Sequence, residues 1–262
     1  MSAADDDFEA LKARYLAYVD TFRGPDGRLG EMLELKLAHT MRVVGNATLI
    51  ADGEGFDAER RSAAIVAALL HDTGRYEQLV KYDTFNDADS IDHAARSQEI
   101  VARLGWVAGR PDAEAVLAAV LYHNRKEVPE GLDPLTEAAS HAVRDADKLD
   151  IFRVLEERVA TTDWRRDAKA FWNLKAGLPP SPAVVAAIRG GRSVDYSEIK
   201  TLSDFVLIQV GWMICGLHYR VSRRLCAERG HLAFRRRFLD EIGGGAEAEE
   251  LCDKAERLAL SV

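Results

Sequence analysis

The chain has 262 residues, with 43 acidic and 35 basic side chains and a formal net charge of -8. This length is sufficient for one large domain with a full hydrophobic core. An acidic chain lacks the broad basic face that neutralises nucleic-acid phosphates, so we expect no stable nucleic-acid complex. The short basic runs at residues 223–224 and 235–237 are expected to be solvated helix faces.

The cysteines and the apolar segments place the chain in a reducing, aqueous compartment. Cys215, Cys226 and Cys252 are widely spaced and form no C-x-x-C pair, which disfavours a disulfide framework or a zinc knuckle. The first residues, MSAADDDFEA, lack the features of a signal peptide, so we expect a cytoplasmic protein. The most apolar segment, residues 205–217, is shorter than the ~20 residues that span a bilayer. It is expected to form a buried helix or a contact of a homodimer, with no membrane association.

Helical periodicity runs along nearly the whole chain, and no alternating segments bounded by hairpin turns stand out. The predicted fold is therefore all-α, as a single domain over residues 1–262 with a C-terminal helical extension at 161–262. Gly53 and Gly55 end the second helix, and Asp57 is the predicted N-cap of the third. The predicted helices cover residues 8–22, 29–51, 57–72, 91–104, 112–123, 134–159, 164–174, 182–188, 199–228 and 246–258.

Several imidazoles and carboxylates fall on or at the ends of the predicted helices, where apolar residues would be expected. Residues three and four apart share a helix face, so His71 lies with Ala67 and Ala68, and His123 with Ala119. An unpaired polar group on a buried face costs several kcal/mol, and coordination of a shared cation would remove that cost. The candidate ligands are His39, His71, Asp72, His93, His123 and Asp147.

Other histidines and carboxylates are given structural roles. Asp145 and Asp150 compete with Asp147 within RDADKLD, and a surface role suits both better. A single histidine on an apolar face is more often a hydrogen-bonded core residue than a ligand, and His141, His218 and His231 receive that interpretation.

The order of these residues resembles the HD-domain superfamily of metal-dependent phosphohydrolases, whose signature is H, then HD, then a distal D. Here the matching residues are His39, the pair His71 and Asp72, and Asp147. The flanks LLHDTGR and VRDADKLDIFR are similar to the corresponding family segments. The resemblance covers about residues 29–158, the predicted HD core, and implies a helical bundle with inward-projecting ligands.

The resemblance also implies a dinuclear site. His93 and His123 stand where two-metal members of the superfamily have two further histidines, and Asp72 is the expected bridge. Nitrogen and oxygen ligands without thiolates suit one or two divalent ions of Fe, Mn, Zn, Ni or Mg. Thr73 and Arg75 depart from the usual residues after the HD pair, and the GYP signature of cyclic-di-GMP phosphodiesterases is absent.

The implied activity is hydrolysis of a phosphate ester by a metal-activated water, with a small phosphorylated molecule as substrate. This class includes phosphomonoesters, nucleotides and phosphodiesters. HD-fold di-iron oxygenases that act on a polyol or phosphonate share the same ligand set and are the alternative. The candidate phosphate-binding residues are Arg75, Lys126, Arg125 and Lys148, with plain surface charge an equal alternative for Lys126 and Arg125. Asn124 and Asp92 are candidates for hydrogen bonds that orient the ligands.

Overall fold

A computed structural model describes residues 3–168, 171 and 173–260 of the chain. The described residues contain helices and one isolated bridge between Lys175 and Thr201, without strands, which confirms the all-α prediction. The chain divides into two compact units, Met1–Asp147 and Lys148–Val262. The division falls inside the predicted HD core of residues 29–158, and the predicted single domain stays a prediction.

The first unit contains six helices and the start of a seventh among its described residues. A short 3-10 turn, Asp87–Asp89, lies between the fourth and fifth. These helices are α1 (Ala3–Asp20), α2 (Glu31–Gly53), α3 (Ala58–Leu70), α4 (Gly74–Tyr82), α5 (His93–Arg103), α6 (Ala113–Tyr122) and α7 (Pro134–Thr161).

Helix α3 is the central element of this unit. The predicted N-cap is confirmed, because the Asp57 carboxylate accepts a hydrogen bond from the backbone N–H of Arg60 at 2.9 Å. All residues from Ala63 to Leu70 are buried, with α2 and α6 packed against the helix. Alanines in this segment allow that close packing. His71 and Asp72 follow directly, so the chain carries both into the interior.

Helix α4 was not predicted, because Gly74 resembles a helix stop rather than a helix start. A Cβ atom at Gly74 would lie 2.6 Å from the carbonyl oxygen of His93 and 2.9 Å from the backbone nitrogen of Ser97. The Gly74 N–H also donates to Ser97 Oγ at 2.8 Å. Glycine is therefore required here for α4 to approach the start of α5.

The second unit contains the remaining helices of the described chain. Helix α11 packs against α9 and α12, and α8 packs against α9. These helices are α8 (Pro182–Arg189), α9 (Leu202–Gly211), α10 (Arg220–Glu228), α11 (His231–Ile242) and α12 (Gly245–Leu260).

Two helix predictions in this unit are wrong. The predicted helix over residues 199–228 is interrupted by a π-helical turn, Trp212–Gly216, and by Leu217, whose extended backbone separates α9 from α10. In place of the helix at residues 164–174, the described residues form turns and a 3-10 position at Phe171, and Asn173 has a φ of 55°. Residues 169, 170 and 172 of this prediction lie outside the described residues. Within the described part of the chain, no helix has both the length and the hydropathy that a membrane span requires.

Helix α11 is absent from the predicted helices, and its arginine run was expected to be a solvated helix face. Arg235 is instead fully buried. It donates to Glu156 Oε1 at 2.6 Å, to the Phe152 carbonyl oxygen at 2.7 Å and to Gln209 Oε1 at 3.0 Å. His231 is a hydrogen-bonded core residue as predicted, with Nδ1 2.6 Å from the same Glu156 oxygen. His218 is exposed, so its predicted core role is wrong.

Candidate metal centre

Asp72 presents its two carboxylate oxygens to two separate pairs of histidines. Oδ2 lies 3.6 Å from His39 Nε2 and 3.5 Å from His71 Nε2. Oδ1 lies 3.5 Å from His93 Nε2 and 3.7 Å from His123 Nε2, and these two nitrogens are 3.0 Å apart. All four predicted histidines therefore lie close to the carboxylate of one residue, Asp72.

Asp147 completes the first of these groups. Its Oδ1 lies 3.2 Å from His39 Nε2 and 4.0 Å from His71 Nε2. We call His39, His71, Asp147 and Asp72 Oδ2 the first ligand group, and His93, His123 and Asp72 Oδ1 the second. Ligand atoms of His39, His71 and Asp147 lie within 4.8 Å of one another, as do those of His71, Asp72 and His123. All six predicted ligands thus come together.

Two histidines are oriented by the helices that precede them. His71 and His123 each follow the last residue of a helix, α3 and α6 respectively. Each Nδ1 bonds a backbone carbonyl three residues back, Ala68 at 2.8 Å and Val120 at 2.7 Å. An N–H donated from Nδ1 leaves Nε2 with its lone pair for the centre of the site, as in metal-bound histidines.

His93 is oriented by a side chain that was not predicted. Its Nδ1 lies 2.6 Å from Asp87 Oδ2, and Asn124 Nδ2 donates to the same oxygen at 3.2 Å. Burial raises the pKa of Asp87, but the hydrogen bond with His93 and the charges of His93 and Arg75 outweigh it and lower the pKa to about 2. The predicted orienting role of Asn124 agrees with this contact. Asp92 caps α5, accepting from Ala95 N at 3.0 Å, and its orienting role stays a prediction.

The donor set fits divalent cations. His71 is fully buried, and its Nε2 has no hydrogen-bond partner among the described residues. Burial lowers the pKa of His71 and of His123, which keeps both imidazoles neutral, as metal ligands must be. Burial raises the pKa of Asp72, but the positive charges of Lys36 and Arg75 hold it well below its usual range. Neutral imidazoles and ionised carboxylates suit a borderline divalent ion.

A family comparison agrees with this geometry. Residues 37–152 match the model of the family described as HD domain. This segment is an HD domain. It includes every predicted ligand and lies within the predicted core, and the HD domain points to a superfamily of metal-dependent hydrolases. A search of curated proteins and a search of solved structures each returned no match.

Two cationic side chains approach the Asp72 carboxylate. Lys36 Nζ lies 2.7 Å from Asp72 Oδ2, and Arg75 Nε lies 3.4 Å from Asp72 Oδ1. The ring of Phe85 is near both, with its centroid 5.4 Å from Lys36 Nζ and 5.7 Å from the Arg75 guanidinium carbon. Lys36 was not predicted, although it lies three residues before His39 and so shares its helix face.

The remaining candidate phosphate-binding residues have contacts other than Asp72. Arg125 pairs with Asp92 Oδ2 at 2.6 Å. The side chain of Lys126 is exposed, whereas its carbonyl oxygen accepts from Arg144 Nη2 at 3.1 Å. Lys148 directly follows Asp147 in α7 and is half-buried. Their binding of phosphate stays a prediction.

Asp145 and Asp150 do not have the surface role predicted for them. Their exposed fractions are 1% and 2%. Asp150 Oδ1 accepts from Arg153 Nε at 3.0 Å. Helix α7 is buried on more than one face in this region. The charged residues of the segment RDADKLD were therefore a poor guide to which of its side chains are exposed.

Proposed function

We propose that this HD domain is a dinuclear metal-dependent phosphohydrolase. Its substrate would be a small phosphorylated molecule, namely a phosphomonoester, a nucleotide or a phosphodiester. The observation that carries the proposal is the position of Asp72, which offers one carboxylate oxygen to each ligand group. A carboxylate in this position can bridge two ions.

The first ligand group would hold one ion and the second group the other. Two bound divalent ions would supply Lewis acidity for the phosphoryl oxygens. They would also lower the pKa of a bound water molecule to near neutrality. The protein contributes the fixed positions of the donors, through α2, α3, α5, α6 and α7. Six residues with nitrogen and oxygen donors are compatible with Fe, Mn, Zn, Ni or Mg.

Lys36 is the residue that we assign to the substrate phosphate. Its side chain keeps 21% of its surface exposed while Nζ contacts Asp72, so a substrate can reach it. An ammonium group forms charge-assisted hydrogen bonds with phosphate oxygens. Arg75, with 15% of its side chain exposed, uses Nη1 for Asp87, Gln78 and the Phe85 carbonyl oxygen. These bonds hold the Arg75 guanidinium in place, so Arg75 would attract the substrate phosphate mainly through its positive charge.

The two cations beside Asp72 favour an anionic substrate and thus hydrolysis over oxidation of an uncharged polyol. The test is phosphate release by the metal-free chain and by the chain loaded with Mn²⁺, using phosphomonoesters, nucleotides and cyclic dinucleotides. We expect hydrolysis that requires metal and disappears in Asp72→Ala. Asp52→Ala is the matched control, because Asp52 is an exposed α2 carboxylate that pairs with Arg61.

Two results would reject phosphohydrolase activity. One is the absence of hydrolysis across the whole panel with metal-loaded protein. The other is oxygen consumption with a polyol or phosphonate, accompanied by the EPR signal of a mixed-valent di-iron centre. That second result would establish the oxygenase alternative.

A further inference from the structure

Asp87 uses both carboxylate oxygens to connect His93 with α4. It lies in the 3-10 turn between α4 and α5, outside the set of predicted ligands. Oδ2 lies 2.6 Å from His93 Nδ1. Oδ1 accepts from Arg75 Nη1 at 3.0 Å and from Gln78 Nε2 at 2.9 Å. One oxygen therefore contacts the histidine while the other is anchored.

The anchor of Asp87 is itself well fixed. Gln78 is fully buried, and its amide nitrogen also donates to Ser90 Oγ at 2.7 Å and to the Ile91 carbonyl oxygen at 3.2 Å. Its Oε1 accepts from Arg75 at 2.8 Å. The bonds from Gln78 hold the chain after Asp87, and the bond from Arg75 Nη1 to the Phe85 carbonyl oxygen at 2.6 Å holds the chain before it. Helix α4 therefore determines where the carboxylate lies.

His93 differs in this respect from two other histidines of the centre. His71 and His123 are oriented by carbonyl groups of their own helices, which the helical backbone fixes. His93 is the first residue of α5, and its Nδ1 partner is a carboxylate from a preceding turn. A carboxylate partner fixes the tautomer of a metal-binding histidine and raises its basicity.

We propose that Asp87 is the positioning residue of the second ligand group and sets the affinity of the second ion. It holds the His93 ring so that Nε2 lies 3.5 Å from Asp72 Oδ1, where it would bind the second ion. Arg75 and Gln78 act through Asp87. This inference rests on the proposed dinuclear centre.

The test is calorimetric titration of Mn²⁺ into the metal-free full chain. In Asp87→Ala the Kd of one ion should rise about 10- to 100-fold while that of the other stays as in the wild type. Asp87→Asn should have a smaller effect, because its amide oxygen can still accept from His93. Asp89→Ala should match the wild type, because Asp89 lies in the same turn and contacts Asn86. His123→Ala should weaken the same ion as Asp87→Ala.

Wild-type values of both Kd in Asp87→Ala would overturn the inference. Equal weakening of both ions would also overturn it, since the effect would then not be confined to the second ligand group. Failure of the dinuclear proposal itself is distinguishable, because the wild-type chain would then bind fewer than two ions. Circular dichroism of each variant checks that the helices are retained.

Discussion

Asp72 is both buried and ionised, because cationic side chains lie beside it. It is 3% exposed, and an isolated carboxylate in such a place would take up a proton. Lys36 and Arg75 instead hold its pKa well below the usual range. The residue is therefore ionised at neutral pH, with one oxygen for each histidine pair.

Lys36→Met tests the assignment of the phosphate-binding residue. Loss of a charge-assisted hydrogen bond corresponds to about a 10- to 100-fold rise in KM for the substrate. Steady-state kinetics at saturating Mn²⁺ measure this effect, and Lys36→Arg should restore part of the affinity. Lys12→Met, at an α1 lysine that pairs with Glu9, is the control. An unchanged KM in Lys36→Met would rule out the assignment.

The candidate ligands could be found from the sequence because their surroundings are apolar. His71 and His123 follow alanine-rich helices, so a buried position was predictable for both. Lys36 was also within reach of sequence reasoning through its spacing from His39. Asp87 was not, because it lies in an irregular loop whose partners, Arg75 and Gln78, belong to a helix that was not predicted.

At the scale of elements, the contact between α4 and α5 fixes the position of His93. Gly74→Ala should lower the free energy of unfolding by about 1–3 kcal/mol, because the added methyl group meets backbone atoms of α5. Gly45→Ala is the matched control, with open space around its Cβ and a position inside α2. It should raise stability by about 0.5–1 kcal/mol. Urea unfolding measures both, and equal effects would contradict the proposed steric contact.

Helices with clear caps were predictable, whereas those set by tertiary contacts were not. Asp57 indicated the start of α3 correctly through its side-chain cap. Helix α4 begins at a glycine that tertiary packing requires, and α11 contains an arginine whose partners come from distant positions. Neither feature has a signal in local periodicity.

At the scale of the whole molecule, the second unit has its own buried polar network. Removing Glu156 would leave the fully buried Arg235 without its carboxylate partner. Glu156→Ala should therefore lower the free energy of unfolding by about 3–5 kcal/mol at pH 7. Glu157→Ala, at an exposed neighbour that pairs with Arg153, should change it by less than about 0.5 kcal/mol.

The Glu156 network should also give the second unit an acid-sensitive stability. Burial raises the pKa of Glu156, but hydrogen bonds and charges from His231 and Arg235 outweigh it and lower the pKa. Its contribution is therefore complete above the pKa of unfolded glutamate, about 4.3, and is lost as the pH falls through the lower folded value. Chemical unfolding from pH 7 downward should show wild type and Glu156→Ala converging below about pH 4. A constant difference would contradict this.

The central claim is that Asp72 bridges two metal ions, and anomalous diffraction from crystals grown with Mn²⁺ tests it most directly. Data collected on either side of the manganese absorption edge should show two peaks about 3.5–4 Å apart. One should lie among His39, His71 and Asp147, the other beside His93 and His123, with an oxygen of Asp72 on each. A single peak, or none, in fully loaded protein would contradict the dinuclear centre.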